Sequence, residues 1–176
     1  LTLIIPAKNE SESLPSVLDE LKIYNLKINI ILQESDISTI RSVENYPVNL
    51  IYQDNKGYGD ALIKGIETCT TDYFSIFNAD GSFNPSELKT MLFYIEKDNY
   101  DFVFGSRYQK NSGSEDDTII TLVGNYIFTW IGRFIFNLNI TDILYTFVVG
   151  KTDKAKKLNL KKKDFSFCVE LPIKAK

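Results

Sequence analysis

Histidine is absent from this 176-residue chain, which removes Ser-His-Asp catalysis, histidine proton shuttles and histidine-ligated zinc. Acid, base or metal chemistry must therefore rest on carboxylates. Cysteine is scarce: Cys69 and Cys168 stand far apart in unlike contexts, so neither a disulfide framework nor a thiolate metal site is indicated, and a reducing, cytoplasmic setting is expected. A basic excess is missing too. Twenty Lys and Arg against 23 Asp and Glu give a net charge of −3, which argues against a general nucleic-acid binder. That charge is unevenly spread, because residues 151–176 hold nine Lys and three acids while residues 1–150 hold eleven basic and twenty acidic side chains. A cationic end of this kind either meets phosphate or a membrane surface or is a solvated Lys-rich stretch. No repeat, low-complexity tract or linker divides the chain, so residues 1–176 are expected to form a single domain. No basic leader precedes the apolar run Leu1–Ile5, so no secretory signal is expected; the missing initiator Met reads as a piece of a longer chain, with room for membrane spans outside it.

What the sequence does contain is a set of short Ile-, Val- and Phe-rich runs separated by helix-like segments. Strands are predicted at Leu1–Ile5, Ile28–Leu32, Asn49–Tyr52, Tyr73–Phe77 and Phe102–Gly105, with helices over Leu14–Tyr24, Asp60–Thr68 and Pro85–Lys97, the last opened by Pro85 behind an Asn84 cap. The alternation predicts an α/β fold with a Rossmann-like, mostly parallel central sheet flanked by helices.

Residues 119–138 form an apolar stretch long enough to raise the question of a membrane. Thr121, Asn125, Thr129 and Arg133 recur every four residues and would draw one polar stripe along a helix. A core helix and a helix lying in a lipid interface both suit that pattern better than a spanning one.

In an open parallel sheet, ligands sit beyond the carboxyl ends of the strands. Polar clusters fall there after every predicted strand: Pro6-Ala7-Lys8-Asn9-Glu10, Gln33-Glu34-Ser35-Asp36, Asp54 to Asp60, Asn78-Ala79-Asp80-Gly81-Ser82, and Gly105-Ser106-Arg107-Tyr108. Each alone is also a turn composition. The oxygen side chains of Asn78 and Asp80 suit a hard divalent cation that also holds a diphosphate, with Asp80 the direct ligand and Ser82 an orienter of bound water. The same residues also suit a turn in which Asp80 caps the region of the Pro85 helix. Lys56, Gly57 and Gly59 suggest a loop whose backbone approaches a ligand, though they do not make a nucleotide-triphosphate loop.

Taken together, LIIPAKNE, NKGYGDALIKGI, FNADGSFNP, FGSRY, TDILYTFVVGKTDKAKKL and DFSFCVELPIKAK resemble, over most of the chain, the family 2 glycosyltransferases of the GT-A fold, particularly the dolichol- and polyprenyl-phosphate sugar transferases. The resemblance implies an inverting, metal-dependent glycosyltransferase that uses a UDP- or GDP-linked sugar and Mg2+ or Mn2+. It places Pro6, Ala7, Asn9 and Glu10 around the nucleotide, with Glu34 and Ser35 at the base-reading position and Lys56, Gly57 and Asp60 among the substrate-binding positions. It assigns Asn78 and Asp80, with Ala79 between them, to the metal and diphosphate, Arg107 to the donor phosphates or sugar, Asp142 to the reacting centre, and Glu170 and Lys174 to the acceptor side. The implied acceptor is a lipid phosphate, with a saccharide hydroxyl as the second reading and peripheral contact at the cytoplasmic membrane face through residues 119–138. Taken without the family, Asp142 reads as a cap, Glu170 as a salt-bridged helical carboxylate and Arg107 as a surface side chain.

The chain departs from relatives in three places. Gln33-Glu34-Ser35 replaces an Asp pair after the second strand, Asn78 replaces the first metal carboxylate, and Leu122 and Val123 stand where lipid-phosphate transferases often carry a basic residue. A catalytically silent nucleotide-sugar-binding module is therefore a competing expectation. A sugar nucleotidyltransferase shares the sheet but needs a Gly- and Arg-rich first loop, which does not follow Ile5.

Overall fold

The computed structural model describes residues 1–107 and 119–176. Tyr108 of the FGSRY motif and the side chains of Thr121, Leu122, Val123 and Asn125 lie outside the described residues. Four parallel strands, β1 (Thr2–Pro6), β2 (Lys27–Leu32), β3 (Asn49–Tyr52) and β4 (Tyr73–Ile76), form one half of a six-stranded sheet. The strand order β3-β2-β1-β4-β6-β5 is completed by β5 (Phe102–Phe104) and β6 (Val148–Lys151), and β6 runs antiparallel to both of its neighbours.

The period of two along each strand divides the core into two layers. Leu3, Ile5, Ile30 and Leu32 face α1 (Leu14–Leu21) and α4 (Glu87–Asp98), meeting Leu14, Leu18, Leu88 and Met91. Ile4, Ile31, Phe74 and Ile76 face the opposite way, onto Ala61, Leu62 and Ile66 of α3 (Tyr58–Thr68), Ala155 of α6 (Thr152–Lys157) and Phe167 and Leu171 of α7 (Phe167–Ala175). With helices on both faces, the central strands are apolar on both sides, which is why they appear as continuous hydrophobic runs.

Differences from the predicted elements are local. The strand β6, the short helix α2 (Ile37–Ser42) and α6 were not predicted. The predicted helix at Pro85 starts at Glu87, because Asn84 Oδ1 accepts from Ser86 N at 3.0 Å and Oγ at 2.7 Å, and the Asn84 and Pro85 carbonyls accept from Glu87 and Leu88 three residues on, making a tight preliminary turn. In α5 (Ile119–Ile135) the anticipated polar stripe is divided. Thr129 is buried and its hydroxyl accepts from Ile143 N at 3.2 Å, whereas Arg133 is exposed. The aromatic face points outward: Tyr126, Trp130 and Phe134 are 74%, 55% and 78% exposed, which corrects the core-helix reading for this half of α5. Among the described residues no helix is long and apolar enough to cross a membrane.

Helix α3 approaches the sheet closely at Gly65, where a Cβ would run into Ile4 Cγ2 and press on Ile31. Overpacking of this kind costs about 1–3 kcal/mol, against a gain of about 1 kcal/mol in helix propensity. Gly65→Ala is therefore expected to lower the urea midpoint of unfolding, and an unchanged or raised midpoint would show that Ile4 can yield.

Candidate active site

The loops at the carboxyl ends of β1 to β5 share one rim with the segment that feeds β6, because β6 is antiparallel and begins where its neighbours end. The first loop leaves β1 at Pro6 and is fixed at once, since Ala7 N donates to Ile31 O at 2.9 Å. Asn9 sits at φ +59°, and its N–H donates to Asp36 Oδ2 at 2.7 Å; Glu10 N donates to Thr39 Oγ1 at 3.0 Å. The Glu10 carboxylate in turn accepts from Ser13. Asp36 was not singled out from sequence, yet it anchors this loop while capping α2 through Thr39 N. Burial pushes its carboxyl upward, but the Asn9, Thr39 and Ser38 donors outweigh that and hold it below the ordinary carboxylate range. Its sequence signal was the N-cap position, an acid three residues before Thr39. Glu34 and Ser35 are exposed in the loop between β2 and α2, and Gln33 Nε2 donates to Asn55 O at 3.0 Å.

The loop after β3 is held internally. Asn55 donates through its backbone N and its Nδ2 to the Asp60 carboxylate, both at 3.1 Å, and Lys163 Nζ lies 3.3 Å from it. Asp60 is thus buried and organises its own loop, while Lys56 is exposed. Gly57, at φ +133°, precedes α3, and Gln53 Nε2 donates to its carbonyl at 2.8 Å.

Beyond β4, Phe77 N donates to Ile4 O, continuing the sheet by one residue before the chain turns out at Asn78. Ala79 is buried beneath, and Asp80 is exposed. Asp80 Oδ1 accepts from Ser82 N at 2.9 Å and Asn78 Nδ2 donates to Ser82 Oγ at 3.0 Å, so the turn Asn78–Ser82, with Gly81 at φ +81°, is stiffened from within. Asp80 does close a turn, but on Ser82 and not on the helix after Pro85. Its charge reaches Tyr58 and Tyr145, adding to the burial that pushes both phenols up, Tyr145 to about 12.

An ion pair joins the exit of β5 to the approach to β6. Asp142 is fully buried; its Oδ2 accepts from Arg107 Nε at 2.9 Å and Arg107 N at 3.3 Å, and its Oδ1 from Arg107 Nη2 at 3.2 Å. The Arg107 guanidinium lies 5.2 Å from the centre of the Tyr145 ring. Thr141 donates to Ser106 Oγ at 2.8 Å, and Gly105 N to Phe147 O at 2.8 Å, so the exit from β5 and the approach to β6 are laced together. Among the described residues, this geometry makes Asp142 a carboxylate that orients Arg107.

Glu170 and Lys174 are turned toward the chain before α7. Glu170 accepts from Lys161 N and Lys162 N at 2.9 and 2.7 Å and pairs with Lys174 Nζ at 2.7 Å; Lys174 also donates to Asn159 O at 2.6 Å. Much of the cationic end is neutralised in place, with Lys151 and Lys154 on Asp101, Lys157 on Asp153, Lys163 on Asp60 and Lys174 on Glu170.

The chain belongs to glycosyl transferase family 2, whose family model matches residues 2–158. It is 27% identical over 107 residues to an uncharacterized glycosyltransferase of Mycobacterium tuberculosis, an overlap of 61% of this chain and 48% of that one, so it spans about half the relative's length. It is 24% identical over 162 residues to the UDP-N-acetylglucosamine--dolichyl-phosphate N-acetylglucosaminyltransferase of Methanococcus voltae, covering 80% and 64% of the two chains. Its fold is shared with the Mycobacterium tuberculosis glucosyl-3-phosphoglycerate synthase crystallised with Mn2+, UDP and glucosyl-3-phosphoglycerate, at a TM-score of 0.74 and 12% identity over 99% of this chain and 67% of that one. At that identity the likeness speaks for the α/β fold alone.

Asp142 accepts charge-assisted hydrogen bonds whose loss costs about 1.5–3 kcal/mol, while the partly exposed Arg107 keeps access to water. Asp142→Ala is expected to destabilise the domain on that scale in denaturant titrations, far more than Glu34→Ala on the exposed loop. Equal midpoints for the two variants would show that the Arg107 pair does not hold the rim.

Proposed function

We propose that the chain is the catalytic domain of an inverting glycosyltransferase that moves a sugar from a nucleotide-sugar donor to an acceptor, with a polyprenyl-type lipid phosphate as the acceptor. The observation that carries this reading is the convergence, on one rim of a family 2 fold, of an exposed Asp80 and a cationic Arg107 held by a buried carboxylate. An acceptor oxygen attacks the anomeric carbon as the bond to the diphosphate breaks, and the nucleoside diphosphate leaves with the bonding electrons. Arg107 is placed to stabilise the charge that grows on the diphosphate. A lipid phosphate is already an anion near neutral pH, so its attack needs no base, which agrees with an Asp142 that positions Arg107.

The donor set fits a divalent cation shared with the donor. Among the described residues no three His, Cys, Asp or Glu side chains cluster to cage an ion, so Asp80, with Asn78 beside it, would anchor Mg2+ or Mn2+ and diphosphate oxygens would complete the oxygen shell. When bound, the cation would supply charge neutralisation of the leaving diphosphate. Pro6 to Glu10, ordered by Asp36, would receive the nucleotide, with Glu34, Ser35 and Lys56 exposed beside it.

Support for the acceptor comes from α5. A groove of about 650 Å3 is lined by Tyr126, Trp130, Phe134 and Leu138 with Arg133 exposed among them, and Thr141 at its wall is hydrogen-bonded to Ser106, the neighbour of Arg107. An apolar chain in this groove would lead its phosphate toward the ion pair. The outward aromatic face of α5 suits peripheral attachment at the cytoplasmic membrane face.

Calorimetry with UDP- and GDP-sugars, with and without Mn2+, tests the donor side. Wild type is expected to bind one of them in a metal-dependent manner, and Asp80→Asn to lose that dependence; unchanged binding would remove Asp80 from the site. Metal-dependent binding without transfer to any acceptor would favour a silent binding module. On the acceptor side, Trp130→Ala is expected to reduce transfer to long-chain polyprenyl phosphates while sparing donor affinity. Equal loss with a short-chain acceptor, or transfer to a saccharide hydroxyl alone, would contradict the lipid reading.

A further inference from the structure

Residues 161–164 form a strap across the N-terminus of α3. Its carbonyls lie where a side chain at either nearby glycine would have to go: a Cβ on Gly57 would run into Lys163 O, and one on Gly59 into Lys162 O, with Asp164 O and Phe167 Cβ also close. Gly57 is further restricted by its φ of +133°, which side-chain-bearing residues rarely adopt. The strap completes α3 as a cap would, because Lys163 O accepts from Asp60 N at 3.0 Å while Lys163 Nζ meets the Asp60 carboxylate. Just past it, Phe165 stacks on Tyr58 with ring centroids 5.0 Å apart, and the Tyr58 hydroxyl bonds Thr146 at 2.7 Å on the approach to β6.

One side chain holds the strap from behind. The Glu170 carboxylate accepts from two consecutive strap N–H groups, those of Lys161 and Lys162, and from Lys174. Charged acceptors of this kind make the stronger class of hydrogen bond. The side chain is only 10% exposed, so water offers little replacement.

We propose that Glu170 is a positioning residue for the donor site: through the strap it fixes Gly57 to Asp60 and the Tyr58 ring, whose hydroxyl reaches Thr146 on the approach to β6. The inference rests on the donor reading above and gives Glu170 a role different from the acceptor contact that the family resemblance implied. In Glu170→Gln the carboxamide keeps one acceptor oxygen and loses the charge. Loss of a hydrogen bond to a charged group corresponds to roughly tenfold in an equilibrium constant.

The test combines steady-state kinetics with amide hydrogen exchange. Glu170→Gln is expected to raise KM for the nucleotide sugar roughly tenfold, with kcat and the KM for acceptor retained, since uniform binding is what a displaced loop removes. Exchange should quicken at residues 55–62 without a matching change in the core strand β1. Phe165→Ala removes only a 73% exposed ring and should raise the donor KM in the same direction, which keeps the test open if Glu170→Gln folds poorly. A Glu170→Gln protein with lowered Tm but unchanged donor KM would overturn the proposal, as would a rise confined to the acceptor KM. Faster exchange at 55–62 in a protein whose wild type binds no nucleotide sugar would support the coupling and fault the donor reading.

Discussion

The pairing of Asp142 with Arg107 sets the shape of the rim. A carboxylate removed from water is tolerated only with a charged, hydrogen-bonded partner, and Arg107 answers it with a bidentate guanidinium and its own backbone N–H. Because Arg107 follows β5 while Asp142 precedes β6, the pair draws together two stretches separated by α5. The antiparallel course of β6 then returns the chain through Phe147 and Val149 into the layer that packs α1 and α4. One electrostatic requirement thus links the sheet edge, the aromatic helix and the candidate site.

Much of the fold was legible because the central strands are buried on both faces. Ile4 and Ile5 serve opposite layers, and a strand that must satisfy both has no polar alternation to confuse it with a surface element. The strand β6 was missed for a related reason. Gly150 interrupts its apolar run, and the structure shows why glycine stands there: a Cβ would strike the Phe102 and Phe74 rings on the neighbouring strands. The helices α2 and α6 have six residues each, too few to show a 3.6-residue period. In α5 the four-residue spacing did not show that Thr129 and Arg133 part company, because burial of Thr129 depends on a distant N–H, that of Ile143.

The rim that carries the candidate site was legible in the sequence, the conformations of its side chains less so. Polar loops after each strand marked the rim, since backbone groups there need partners whether or not a ligand is present. Sequence could not say which carboxylates turn outward. Asp80 is exposed, whereas Asp36, Asp60 and Glu170 each take backbone N–H groups from a segment remote in sequence or folded back upon them. That difference lies in tertiary contacts that no local spacing encodes. Membership of family 2 accounts for the ordered motifs within residues 2–158, a span that covers all six strands, while DFSFCVELPIKAK lies beyond it.

The central claim is that this rim holds a nucleotide sugar through a cation anchored on Asp80. Anomalous diffraction from a crystal containing Mn2+ and the preferred nucleotide sugar tests it most directly. The account predicts a manganese peak at coordination distance from the Asp80 carboxylate, bridged to the donor diphosphate with Arg107 facing the same phosphates. A donor seated elsewhere, or a manganese peak that leaves Asp80 untouched, would contradict it.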